Sequence, residues 1–275
     1  MRFSVRHETH YRYSAPVLFG AHVLRLTPRL ENADLQTHSL IIDPEPSVRQ
    51  DLTDGYGNAV TRVEFEQPSR HLRIESRFDV ETRAPLAAAS ALPPLPWPSG
   101  ASDTLGDYLP AENHDGSVRA FAAELASASG SDPQRFLENL NRTLFTRTHR
   151  HIRPEGAAQT PAHTLATGKG ACRDLTVLFM AACRSLGIPA RFVSGYQAEA
   201  ETPDGRRHLH SWAEAFLPGF GWRGFDPMHG LAVTDGHAAL CAAPDQAGTM
   251  PVEGGFYGDG VTSTLAYDVQ VSTKP

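Results

Sequence analysis

Cys172 lies in Gly168-Lys169-Gly170-Ala171-Cys172-Arg173-Asp174-Leu175, where glycines precede a run with apolar residues at 172, 175, 178, 179, 182, 183 and 186. That spacing is one face of an α-helix, and Gly187 with Pro189 should stop it near Leu186. Cys172 therefore falls in the first turn. Unpaired backbone N–H groups and the helix dipole there favour negative charge, which biases a thiol towards the nucleophilic thiolate. A thiolate needs a proton carrier, and among 13 histidines only placement can single one out. His208 to Leu217 reads as a strand, Pro218-Gly219-Phe220-Gly221 as a turn, and Trp222 to Pro227 as a second strand. This hairpin carries His210 and Asp226. A histidine oriented by a carboxylate on the neighbouring strand, and facing a cysteine at a helix start, is the arrangement of nucleophilic catalysis.

Hairpin register tests that assignment. Directly opposed residues share a face, and an even-length loop would pair even positions with odd ones, turning His210 and Asp226 apart. An odd loop with Phe216 opposite Trp222 makes Asp226 the diagonal neighbour of His210, ~7–8 Å away between backbone positions, within reach of a hydrogen bond between the side chains. An odd loop or a bulge at Pro218 to Gly221 is therefore expected. Glu214 is the fallback orienting acid.

The other candidates read as structure. The three cysteines show no Cys-x-x-Cys pairing, so neither a disulfide framework nor a thiolate metal site is expected. Cys183 shares a helical face with Cys172 and reads as packing, and Cys241, after Ala238-Ala239-Leu240, as a buried small residue. His208-x-His210 and His149-x-His151 place two imidazoles each on one strand face, which suits zinc, but no third ligand accompanies them. No cofactor or metal is expected.

The elements that must hold these residues divide the 275-residue chain into three. Period-two stretches such as Phe3 to His7 and Leu72 to Phe78, broken by turns at Asp43-Pro44-Glu45-Pro46 and Asp54-Gly55-Tyr56-Gly57-Asn58, make residues 1–84 an antiparallel β domain. Residues 85–102, with Leu92-Pro93-Pro94-Leu95-Pro96-Trp97-Pro98, cannot sustain a hydrogen-bond ladder and read as an extended linker. Residues 103–275 form the α+β catalytic domain. Helices are expected over Ser117 to Ala128 and, from a cap at Ser131-Asp132-Pro133-Gln134, to about Thr146. Phe136, Leu137, Leu140 and Leu144 of the second helix cover the core. The run Gly254 to Gly260 is expected as a loop near the cleft. No apolar stretch approaches the ~18 residues of a membrane span. Met1 to His7 lacks the apolar core of a secretory leader, so a cytoplasmic location is expected. With a net charge of −6 and dispersed basic residues, nucleic acid is not expected as a partner.

Gly170 to Asp174, Gly187 to Tyr196, His210 to Glu214 and Gly221 to Pro227 together resemble the core blocks of bacterial transglutaminase-like proteins. Tyr11-Arg12-Tyr13, Leu24 to Pro28 and Asp54 to Asn58 resemble the β domain that precedes that core in the same family. The resemblance implies a papain-like, transglutaminase-like α+β fold with Cys172, His210 and Asp226 as its triad. Animal transglutaminases stabilise the oxyanion with an upstream tryptophan, whereas none lies here between Trp97 and Trp212. The backbone N–H of Cys172 is the first donor to expect, and the second is open. No loop has the carboxylate spacing of a calcium site. The chemistry expected is attack of the Cys172 thiolate on an amide of a peptide or protein substrate, with an acyl thioester resolved by water, as in a cysteine protease or amidase. An amine in place of water would make it a transglutaminase, and loss of the chemistry would leave a peptide-binding module. Oligomeric state is not encoded in any pattern found here.

Overall fold

Alternation in the first residues yields β1 (Arg2–Phe19), whose Phe3, Val5, Val17 and Phe19 point inward. The computed structural model describes residues 1–85, 92–98, 103–109, 116–153, 156–199 and 207–275. After β2 (His22–Leu24) come β3 (Ala33–Asp43), β4 (Val48–Thr53), β5 (Ala59–Glu64) and β6 (Ser69–Thr82). β1 pairs antiparallel with β6 in a register that sets Phe3 beside Val80 and Val5 beside Phe78, and β6 pairs with β3. β2, β5 and β4 form a second sheet.

The helical layer follows, with α1 (Gly116–Ala128) and α2 (Pro133–Arg147). The cap of α2 is Asp132, which accepts from Arg135 N–H at 2.9 Å. β7 (His149–Arg150), α3 (Pro161–Thr167) and β8 (Lys169–Gly170) lead into α4 (Cys172–Ser185). β7 and β8 pair in parallel. The expected single apolar face of α4 proves wider: Leu175, Thr176, Leu178, Phe179, Met180, Ala182 and Cys183 are all buried, because helices cover one side and a sheet the other. Its end is as expected, with Ile188 N–H reaching Cys183 O at 3.1 Å and Gly187 at φ 79. A Cβ at Gly187 would stand 2.3 Å from Trp97 O, since the linker crosses there. Within the described stretch of that linker, Trp97 N–H donates to Leu186 O at 2.9 Å and Leu95 is buried. Residues 86–91 and 99–102, the rest of the expected linker, lie outside the described residues.

The sheet beside α4 contains β9 (Ala190–Gln197), β10 (His210–Leu217), β11 (Gly221–Asp226), β12 (Leu231–Ala232) and β13 (His237–Ala243), ordered β12-β11-β10-β9-β13. Every residue of β9 is buried, as expected for a strand covered on both faces. Tyr196, Ala238, Leu240 and Cys241 from this sheet join Phe3, Leu72, Ile74 and Phe78 in one apolar cluster, so the β domain and the core share their packing. The turn at Asp54 to Asn58 docks there too. Asn58 accepts Ala242 N–H and donates to Ala242 O, each at 2.8 Å, as a strand residue would.

The C-terminal strands depart from the expected division of the chain. β14 (Val252–Glu253) pairs with β2, while β15 (Phe256–Tyr257) and β16 (Ser263–Lys274) pair with β1. Residues 252–274, placed by the sequence with the catalytic domain, thus complete the N-terminal sheets. The run Gly254 to Gly260, expected near the cleft, lies against Gly20 and His22, where a Cβ on Gly254 would stand 2.3 Å from the His22 ring.

Candidate active site

Ala171 is the N-cap of α4 and Cys172 its first residue, half-buried. Asp174 holds this start in place from within. Its Oδ2 accepts Ala171 N–H at 2.8 Å, and its Oδ1 accepts Arg153 Nη2 at 2.6 Å and Gln159 N–H at 2.8 Å. Gly170 leaves the room for this, because a Cβ there would stand 3.1 Å from Asp174 Cβ. The backbone N–H of Cys172 lies in the first turn, where no intrahelical acceptor is available.

One turn on, Thr176 Oγ1 donates to Cys172 O at 2.9 Å and lies 3.3 Å from Ser211 Oγ. This link ties the first turns of α4 to the start of β10, where His210 precedes Ser211. β10 and β11 are joined by a three-residue loop with Phe216 opposite Trp222 and Leu217 opposite Gly221, the odd register expected. Asp226 therefore shares a face with His210, and His210 Nε2 lies 2.8 Å from Asp226 Oδ2. Both are buried, at 1% and 0% exposure, which excludes water from competing for this bond. Glu214 is engaged elsewhere: Arg191 Nε donates to it at 2.6 Å while Arg191 Nη2 donates to Glu31 at 2.7 Å.

Two further histidines meet the same carboxylate oxygen. His229 Nδ1 lies 2.9 Å and His237 Nε2 3.3 Å from Asp226 Oδ2, and Met228 N–H donates to Oδ1 at 3.0 Å. Burial by itself would raise the Asp226 carboxyl, but the His210 charge and the hydrogen bonds from His210, His229 and His237 outweigh it and hold the group well below the usual carboxylate range. Asp226 is thus an anion that accepts. The proton positions follow at His229. Gln197 Oε1 accepts Glu199 N–H at 2.8 Å, so its amide nitrogen is the donor to His229 Nε2 at 3.2 Å, leaving the proton on Nδ1 towards Asp226. Sequence reasoning missed His229 and His237. The three-residue step from Asp226 was the available signal for the first.

Ligand atoms of His210, Asp226 and His229 lie within 4.8 Å of one another, near enough to hold a divalent cation. The proton that His229 Nδ1 directs at Asp226 would first have to leave, so the donor set fits a hydrogen-bonded anion better than a metal centre. Of the histidine pairs singled out in the sequence, His210 enters this cluster, His149 is exposed, and His151 and His208 are half-buried. Cys183 and Cys241 are buried; burial pushes the Cys183 thiol far up and the Cys241 thiol up to about 12. Neither is a nucleophile near neutral pH.

Residues 3–81 match the family model for the bacterial transglutaminase-like N-terminal region, and residues 119–227 that of the transglutaminase-like superfamily. An uncharacterized protein of Mycobacterium bovis is 29% identical over 296 residues, covering 100% of this chain and 93% of its own length. Among solved structures, a "putative cysteine protease" from Cytophaga hutchinsonii has the same fold, with a TM-score of 0.72 at 17% identity, covering 100% of this chain and 92% of its own. The periplasmic domain of TgpA from Pseudomonas aeruginosa covers 81% of this chain and 90% of its own at 18% identity and a TM-score of 0.41. The cytoplasmic location expected from the sequence is withdrawn as a correction, and the TgpA domain is described as periplasmic. The physical reason is that Met1 to His7, read as the absence of a leader, is the start of a sheet strand and carries no information on compartment.

Proposed function

Because the chain belongs to the bacterial transglutaminase-like superfamily and carries its N-terminal β domain, we propose that it is a thiol enzyme that cleaves amide bonds of a peptide or protein substrate. The observation that carries this reading is the buried His210–Asp226 pair at 2.8 Å, with His210 on a strand whose Ser211 meets Thr176 one turn after Cys172 at the start of α4. With Nε2 committed to Asp226, Nδ1 is the imidazole nitrogen that takes the thiol proton. The Cys172 sulfur then attacks the amide carbon, and the tetrahedral oxyanion is met by the Cys172 N–H. His210 returns the proton to the leaving amine, and the C–N bond breaks to give a thioester. Water activated by His210 then adds to the thioester, and the C–S bond breaks to release acid and thiol. Asp226 stays ionised throughout and steadies the imidazolium.

Intact-mass spectrometry of wild type and Cys172→Ala with a glutamine-containing peptide, with and without a primary amine, tests this. Loss of amide nitrogen or chain cleavage by wild type alone is the expected result. A mass gain equal to the amine would instead identify transamidation, and activity unchanged in Cys172→Ala would overturn the thiol mechanism.

A further inference from the structure

Arg150 spans the seam between the two halves of the site. Parallel pairing sets His149 beside Lys169 and Arg150 beside Gly170, and continues in His151 N–H to Gly170 O at 3.2 Å and Arg173 Nη1 to Arg153 O at 2.7 Å. Segment 147–153 therefore runs alongside the residues that lead into Cys172. On its other side Arg150 Nη1 donates to Met228 O at 2.8 Å, in the turn that follows Asp226. Its guanidinium lies 4.1 Å from the centroid of the Phe145 ring, a cation–π contact. Phe145 is packed in turn against Gly230, where a Cβ would stand 2.8 Å from the ring. The guanidinium is thus fixed in place at an exposed position, and among the described residues it meets no carboxylate. Other placed arginines do: Arg6 and Arg73 meet Glu75, and Arg191 meets Glu214. Lys169 and Arg147 are exposed in and beside the same strand pair, so positive charge gathers around this segment in a chain of net charge −6.

We propose that Arg150, with the exposed Lys169 of the paired strand adding to the local positive charge, is a binding subsite for a carboxylate of the substrate, so that the peptide delivered to Cys172 is acidic. This rests on Cys172 being the nucleophile. A guanidinium with one donor on a carbonyl keeps a fork for a carboxylate, and the positive charge gathered around it concentrates anions there.

Alkylation of the whole chain by iodoacetate and by iodoacetamide tests both. The two reagents differ in a carboxylate, and in each the Cys172 sulfur forms a bond to the methylene carbon as iodide leaves with the C–I electron pair. Cys183 and Cys241 are buried, and Cys172→Ala supplies the blank. The readout is the ratio of the iodoacetate rate to the iodoacetamide rate. Arg150→Gln should lower that ratio by about 3- to 10-fold and Lys169→Gln by less, and the wild-type ratio should fall as salt is added. A turn at Met228 that is merely loosened slows both reagents together and leaves the ratio alone. An unchanged ratio in Arg150→Gln, with labelling intact, overturns the acidic-substrate inference and leaves the thiol reading standing. Where Arg150→Gln does not fold, a ratio insensitive to both Lys169→Gln and salt overturns it. No labelling of wild-type Cys172 by either reagent overturns the thiol reading, and this inference with it.

Discussion

Asp226 receives more hydrogen bonds than one imidazole requires, and the surplus is informative. With His229, His237 and Met228 N–H also on it, the carboxylate cannot swing away from His210. Asp226→Asn would set an NH2 group among donors, and turnover should fall about 10³- to 10⁴-fold, read from hydrolysis of the peptide in the mass assay with the fold checked by circular dichroism. His229→Leu keeps the pair but frees one side of the carboxylate; activity should fall roughly 10- to 100-fold through misplacement alone. A stable His229→Leu protein with wild-type turnover would remove His229 from the positioning role. The position of Cys172 at a helix start and the His210–Asp226 contact were legible in the sequence because helix stops and strand register constrain side-chain direction. His237 was invisible to the same reasoning, since β13 reaches the site only by pairing with β9, and no local pattern specifies that neighbour.

Among the elements, β9 bears most directly on how the histidines are held. Gly195 lies opposite His210 on one side and Ala239 on the other, and a Cβ there would stand 2.3 Å from Ala238 O and 2.7 Å from the Trp212 ring. Trp212 in turn sits 5.2 Å from the His237 ring and 6.4 Å from that of His210. Gly195→Ala must therefore push Trp212 into the histidine cluster or pry β13 away from β9. It should cost about 1–3 kcal/mol by overpacking, seen as a lower urea midpoint, and lower turnover further than that loss explains; a variant as active and as stable as wild type would refute the close packing. The helix stop at Gly187 and the three-residue hairpin loop were legible because turn chemistry is local. β14 and β16 were not, because Val252 finds Leu24 and Lys274 finds Arg2 across almost the whole chain. The wide burial of α4 was understated for the same reason: a periodic apolar face does not reveal how many layers will cover it.

On the scale of the whole molecule, the β domain and the core meet through polar as well as apolar contacts. His7 Nδ1 lies 2.7 Å from Tyr196 Oη, deep between the sheets. Burial lowers the His7 pKa from 6.5 to about 4, with Asp268 of β16 pulling the other way. The unfolded chain takes up this proton near pH 6.5 and the folded chain only near 4, so stability held above pH 6.5 is lost as pH falls through that window. The loss amounts to roughly 3 kcal/mol. Urea unfolding of wild type should weaken between pH 7 and 4, and His7→Gln, which keeps a polar partner for Tyr196 without a titrating ring, should remove that share of the slope. An unaltered slope would exclude His7 as its source. β1 faces a different hazard while the protein is being made. It leaves the ribosome before all its partners, and at ordinary rates of synthesis the strand that covers its edge, from Ser263 to Lys274, follows on the order of tens of seconds later. During that wait an 18-residue strand stands with one edge unpaired, a template for any neighbouring nascent chain. Crowded expression should therefore favour aggregates seeded by the N-terminal strand, and slower initiation should favour native protein.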